Sequence, residues 1–82
     1  RLYLDRRVDE LRIIDIALLP EYRNQGLGSR LMQKILAEAE AAGLPVRIHV
    51  EHYNPARRLY QRLGFKEIET NGVYYLMEWT PQ

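Results

Sequence analysis

Two apolar runs with a long amphipathic stretch between them constrain this chain more than any other feature. Residues 11–19 are apolar except at Arg12 and Asp15, and residues 46–50 alternate Val46, Ile48 and Val50. Between them Leu27, Leu31, Ile35 and Ala39 recur every four residues, and Met32 and Leu36 widen the stripe. The runs predict two interior strands, the first covered on both faces, and the stripe predicts a helix over about residues 23–42. A helix of that length carries the chain back over a sheet, so a right-handed crossover between parallel strands is expected.

The remaining elements follow from punctuation. Leu2 and Leu4 begin a strand that turns back through residues 6–10. Pro20 stops the first apolar run because it lacks a ladder amide and holds Leu19 extended. Gly43 is placed to end the long helix. Asn54 followed by Pro55 reads as an N-cap and first helical residue; Ala56, Leu59, Tyr60 and Leu63 then form the buried stripe of a short helix that Gly64 closes. Residues 65–69 and 73–79 read as strands around Asn71-Gly72, a hairpin signal because both positions tolerate positive φ.

The predicted order is β-β-α-β-α-β-β, an α/β (α+β) mixed twisted sheet with two helices against it. Eighty-two residues support one hydrophobic core. With no second set of helices to cover it, one sheet face or edge is left underprotected, and a homodimer is expected to cover it.

Composition narrows the partners. Charged residues make up 28% and the formal net charge is +1, so nothing favours nucleic acid. Nothing approaches the roughly 20 apolar residues of a membrane span, and no membrane association is expected. The absence of cysteine removes disulfides and thiolate ligands and fits a cytoplasmic protein. His49 and His52, without a suitable carboxylate arrangement, predict no metal site. The chain enters a strand directly from Arg1, so residues are expected to precede it in the parent protein.

The junction between the first strand and the long helix carries the chemistry. Gly26 and Gly28 bring ligand atoms close to the backbone, where a helix start offers unpartnered amides and partial positive charge. This suits a phosphate-bearing cofactor. A nucleotide P-loop needs Gly-Lys-Ser/Thr, whereas Gly28 precedes Ser29 and Arg30. A dinucleotide fingerprint needs a third glycine where Leu31 stands.

Two motifs make a resemblance. Arg23, Gly26 and Gly28 satisfy Arg/Gln-x-x-Gly-x-Gly/Ala, and residues 54–65, running from Asn54 through Tyr60 to Phe65, follow at the expected distance. The chain resembles the C-terminal half of an acetyltransferase domain of the GNAT superfamily, without that family's usual N-terminal strand and helices. The resemblance implies a single partial domain over residues 1–82. Residues 14–43 would be a pyrophosphate-binding strand-helix unit, and residues 46–65 a second unit carrying a candidate acid. Acetyl-CoA would be the cofactor, and a small-molecule or peptide amine the acceptor; a noncatalytic coenzyme A-binding or assembly module is the alternative.

By the same resemblance, the backbone of Ile16, Ala17 and Leu18 would run beside the pantetheine arm, where a bulge parts the two parallel strands. Arg23, Asn24, Gln25, Gly26, Leu27, Gly28 and Ser29 would hold the pyrophosphate. Asn54 would bond the pantetheine or order the next helix, and Arg57 would reach the adenosine phosphates or form part of a solvated basic face. Tyr60 matches the family's frequent general acid, although its place on an apolar stripe is also that of a core residue. Asp15 is a candidate for removing a proton through water, or a partner for Arg12 or Arg47. Glu10 and Glu51 are weaker candidates, with solvated charge expected of both. His49 and His52 read first as surface or hydrogen-bonded histidines.

Overall fold

The computed structural model describes residues 2–16 and 27–82. Seven elements follow in the expected order: β1 (Leu2–Arg6), β2 (Leu11–Ile16), α1 (Leu27–Ala42), β3 (Val46–Glu51), α2 (Arg57–Arg62), β4 (Lys66–Asn71) and β5 (Tyr74–Trp79). The strands form one sheet in the order β1-β2-β3-β5-β4, with only β2 and β3 parallel. The expected parallel pairing of the strands on either side of α1 is therefore present. Residues 17–26, with the end of the first apolar run and the start of the expected helix, lie outside the described residues.

The helix-covered face carries the core. Leu11, Ile13, Val46, Ile48, Val50 and Met77 are buried against Met32, Ile35 and Ala39 of α1, Tyr60 of α2, and Phe65. The stripe on α1 is rotated from its expected centre. Leu31 is 39% exposed while Met32 is buried, because Met32, Ile35 and Ala39 follow the three-and-four spacing of a 3.6-residue turn. A strict four-residue spacing drifts off that face.

The interior strand β2 is not covered on both faces, contrary to expectation. Tyr3 pairs with Asp15 but Leu4 with Ile13, so Ile14 is an extra residue in a bulge, and it is 55% exposed. Two consecutive isoleucines thus point to different environments, which a continuous apolar run does not reveal.

Both helices end in a Schellman turn on a glycine of positive φ. At Gly43 (φ 69°) the Gly43 amide donates to the Glu40 carbonyl and the Leu44 amide to that of Ala39. At Gly64 (φ 103°) the Gly64 amide donates to Gln61 and the Phe65 amide to Tyr60. The hairpin is shifted by one residue from its expected place. Asn71 pairs with Tyr74, so the loop is Gly72-Val73, and only Gly72 has positive φ. That pattern is type II′, with glycine first, rather than the Asn-Gly type I′ loop.

Candidate active site

The site begins where two parallel strands part. Leu11, Arg12 and Ile13 pair with Val46, Arg47 and Ile48, and the pairing then stops although both strands continue. The bulge at Ile14 lies at this point and adds local twist to β2. A cleft of about 300 Å³ opens beside it, lined by Ile14, Ile48, His49, Val50, Glu51, Asn54, Tyr60 and Tyr74. Ile48, Val50 and Tyr60 belong to the helix side of the sheet. His49 and Tyr74 belong to the opposite side, so the cleft spans the sheet.

Local structure fixes Tyr60. It stands in α2 and is 3% exposed. Its carbonyl accepts from the Phe65 amide at 3.0 Å, and its ring lies 5.8 Å from that of Phe65. This is the apolar contact that accompanies a Schellman turn, so Gly64 is a determinant of where the phenol sits. Burial, and secondarily the charge of Glu51, pushes the phenol up to about 12. Tyr60 is therefore both core residue and cleft wall.

Asn54 organises the turn between β3 and α2. Its Oδ1 accepts from the Ala56 amide at 2.9 Å, and its Nδ2 donates to Glu51 Oε1 at 3.2 Å. The helix starts later than expected, at Arg57. Ala56 takes the N-cap place without a side-chain bond, and the Arg57 and Arg58 amides reach back to the carbonyls of Asn54 and Pro55. Asn54 thus caps the tight turn that leads into the helix.

Arg57 is drawn into the same turn. It donates to the His52 carbonyl at 2.7 Å and to Glu67 Oε1 at 3.1 Å, and its guanidinium lies 4.4 Å from the centre of the Tyr75 ring. Its Nε is buried and has no partner among the described residues. His52 stacks on Tyr75 at 4.0 Å and contacts Thr70 Oγ1 at 3.2 Å.

Glu10 is not the solvated charge that was expected. It is 5% exposed and is bound by Arg7, Arg12 and Arg47. Arg12 grips it from two nitrogens, Nε at 2.6 Å and Nη2 at 3.3 Å, while Arg47 bridges it to Glu78. Desolvation pushes its carboxyl up, but hydrogen bonds from Arg12 and Arg47 outweigh that and hold it below the usual carboxylate range. Arg12 is thus bonded to Glu10, and Arg47 to Glu10 and Glu78.

Of the other expected residues, Asp15 and Ile16 lie on β2 beyond its last pair with β3. Leu27, Gly28 and Ser29 stand in the first turn of α1. Ala17, Leu18, Arg23, Asn24, Gln25 and Gly26 lie outside the described residues. His49, which alternates with Ile48 and Val50, and Glu51, a weaker candidate, both line the cleft. The signal for both was the burial of Val46, Ile48 and Val50, which turns the alternate residues of β3 toward the other face.

Residues 1–65 match the acetyltransferase (GNAT) family model, and the chain belongs to that family. It is 33% identical over 69 residues to the ribosomal protein bS18–alanine N-acetyltransferase of Haemophilus influenzae, covering 83% of this chain and 47% of that protein. Identity to an N-alpha-acetyltransferase of Sulfurisphaera tokodaii is 38% over 69 residues, covering 77% and 40%. The chain thus spans about half the length of the curated relatives it matches. The crystal structure of the PaiA N-acetyltransferase from Thermoplasma acidophilum in complex with coenzyme A superposes with a TM-score of 0.85 at 23% identity, over 96% of this chain and 51% of that one. This likeness shows a shared fold.

Proposed function

We propose that the chain is the C-terminal half of an N-acetyltransferase that moves an acetyl group from acetyl-CoA to a primary amine by direct attack. The cleft between the diverging ends of β2 and β3, with Tyr60 and Asn54 on its wall, carries this reading. One relative named above is an alanine N-acetyltransferase of a ribosomal protein and the other an N-alpha-acetyltransferase, which favours the α-amine of a peptide as acceptor. The strand-helix unit of residues 14–43 would hold the cofactor through backbone amides of Gln25, Gly26, Leu27, Gly28 and Ser29, beside Arg23 and Asn24. Ile16, Ala17 and Leu18 would flank the pantetheine arm.

Acetyl-CoA supplies the activated thioester; the chain supplies position and proton management. A phenol at about 12 stays protonated at neutral pH and donates a hydrogen bond. A thiol of cysteine type ionises near about 8.5, so a phenol this weak gives up its proton to a thiolate only in part. Tyr60 acts chiefly by steadying sulfur as charge grows on it. Glu51 on β3 and Asp15 on β2 are the carboxylates that take up the amine proton through water. Arg57 serves the site through its hold on the turn, donating to the His52 carbonyl and to Glu67. Pairing of two copies at a sheet edge would give a homodimer, and light scattering after size-exclusion chromatography tests it: a monomer across the micromolar range counts against it.

Calorimetry with acetyl-CoA, followed by thiol release across a panel of amines and peptides, separates binding from transfer. Heat of binding and turnover are expected; no binding at millimolar cofactor sinks the reading. Binding without transfer to any amine, in the longer parent protein too, would assign a noncatalytic module instead. Tyr60→Phe should lower kcat by about 100-fold while cofactor affinity holds.

A further inference from the structure

We infer that Glu10 is a positioning residue whose carboxylate clamps β2 to β3 against the repulsion between Arg12 and Arg47, and thereby sets how tightly the cleft holds acetyl-CoA. The inference rests on the cleft being the acetyl-CoA site. It starts from the shortness of the parallel seam. Three residue pairs join β2 to β3, and the middle one sets Arg12 against Arg47. Like charges directly opposite each other push strands apart, and neighbouring strands lie only about 4.8 Å from one another.

Glu10 answers that repulsion by bonding to both cations. Its Oε2 accepts from Arg12 Nε, while its Oε1 accepts from Arg12 Nη2 on β2 and from Arg47 Nη1 on β3. Burial opposes its ionisation, but the bonds from Arg12 and Arg47 outweigh burial and keep the carboxyl charged at neutral pH. The flanking anions are placed otherwise. Asp5, opposite Arg12 on β1, is engaged by Arg7, and Glu78, opposite Arg47 on β5, bonds to Arg47 from outside the seam. The main chain is fastened at the same point, where the Leu11 amide donates to the Pro45 carbonyl at 2.9 Å.

The two faces of the seam have different tasks. On the helix side Leu11, Ile13, Val46 and Ile48 are buried, and a one-residue slip would turn them to the other face, so packing fixes the register. On the face where the arginines stand, Glu10 fixes how closely the strands approach. The lever is short. Two steps of about 3.3 Å take β2 from Leu11 to Ile13, and Ile14 at the next position is already cleft wall. Loosening at Arg12 and Arg47 therefore widens the gap lined by Ile14, Ile48 and Val50. A wider gap holds the cofactor less firmly and leaves the groups that move protons in place, so the clamp acts on affinity rather than on turnover.

The test has two arms. The first reads amide hydrogen exchange on the folded chain and needs no ligand. Glu10→Gln should speed exchange of the Leu11 amide about tenfold more than exchange of amides in the β4–β5 hairpin. Equal acceleration across the sheet would mean a general loss of stability and overturns the clamp. The second arm measures acetyl-CoA affinity by calorimetry and kcat at saturating cofactor in the active protein. Glu10→Gln should weaken affinity about tenfold and change kcat less than about threefold. Adding Arg47→Met removes the like-charge pair and spares Arg12, so the double variant should return to within about threefold of wild-type affinity. A double variant no better than Glu10→Gln, or a loss confined to kcat, overturns the inference. Should Glu10→Gln fail to fold, recovery of folding in the double variant supports the clamp, and a double variant that is also unfolded refutes it. A wild-type protein that binds no acetyl-CoA refutes the transferase reading and the effect on affinity with it, while the exchange pattern still decides the clamp.

Discussion

The two faces of the sheet are built on opposite principles. Toward the helices, Leu11, Ile13, Val46, Ile48, Val50 and Met77 pack into one hydrophobic cluster. On the other face Arg7, Arg12 and Arg47 interlock with Asp5, Glu10 and Glu78, three cations against three anions. The first face gains from area removed from water, and its contributions are nearly interchangeable among residues of similar volume. The second gains from geometry, and each member depends on its partners being present. The cleft opens where both meet, so it joins an apolar wall to a hydrogen-bonding one.

Truncation of the apolar face should produce the largest loss. Met77 is fully buried at the centre of the core, and Met77→Ala should cost about 3–4 kcal/mol, read as a lower denaturant midpoint. A loss below about 1 kcal/mol would mean that the helices do not depend on this packing.

Glu10→Gln strikes the other face and should cost about 2–3 kcal/mol at neutral pH. This lies below the penalty for a fully buried pair because Arg12 and Arg47 keep 17% and 29% of their side-chain surface exposed. The pH dependence carries the distinguishing sign. The Glu10 carboxyl is depressed in the folded state, so its contribution is complete above the ordinary value of 4.5 and is lost as pH falls through the depressed one. Wild type and Glu10→Gln should converge in acid, whereas Met77→Ala should stay separated from wild type. Urea titrations at neutral and acid pH check both.

These faces also differ in how much of them was legible in the sequence. Val46, Ile48 and Val50 announce their burial by alternation, and Gly43 and Gly64 announce helix ends through a backbone requirement that is local. Glu10 announces nothing, because Arg47 lies 37 residues away in sequence and becomes its neighbour only through the β2–β3 register. Ile14 misleads for a related reason: a bulge is a property of two strands, and one strand's residues do not encode it. The cleft was legible in Tyr60 and Asn54 through the motif and in His49 through its alternation with Ile48 and Val50, but not in Glu51, which reads as solvated charge until the face of β3 on which the cleft opens is known.

A smaller effect links the two faces through Tyr60. Gly64→Ala should cost about 1–2 kcal/mol, since the backbone at φ 103° disfavours an L side chain and the added Cβ would lie 3.2 Å from Trp79 Cδ1. Because the turn places Tyr60, turnover should fall further than a comparable loss of stability elsewhere would cause. Equal activity in Gly64→Ala and wild type, under conditions where both are folded, would detach the turn from the site.

The smallest expected effect sharpens the comparison most. Arg6 donates from Nε to Glu38 Oε2 at 2.6 Å, the same distance as Arg12 to Glu10. Yet the Arg6 and Glu38 side chains are 64% and 40% exposed, against 17% and 6% for Arg12 and Glu10. Water and salt screen the outer pair, and holding two long side chains in register offsets much of what remains. Arg6→Ala should therefore leave the denaturant midpoint within error of wild type, and raising salt should not change that. A clear destabilisation would show that bond length, rather than removal from water, sets the strength of ion pairs in this protein, and the contrast drawn between burial and exposure would fail.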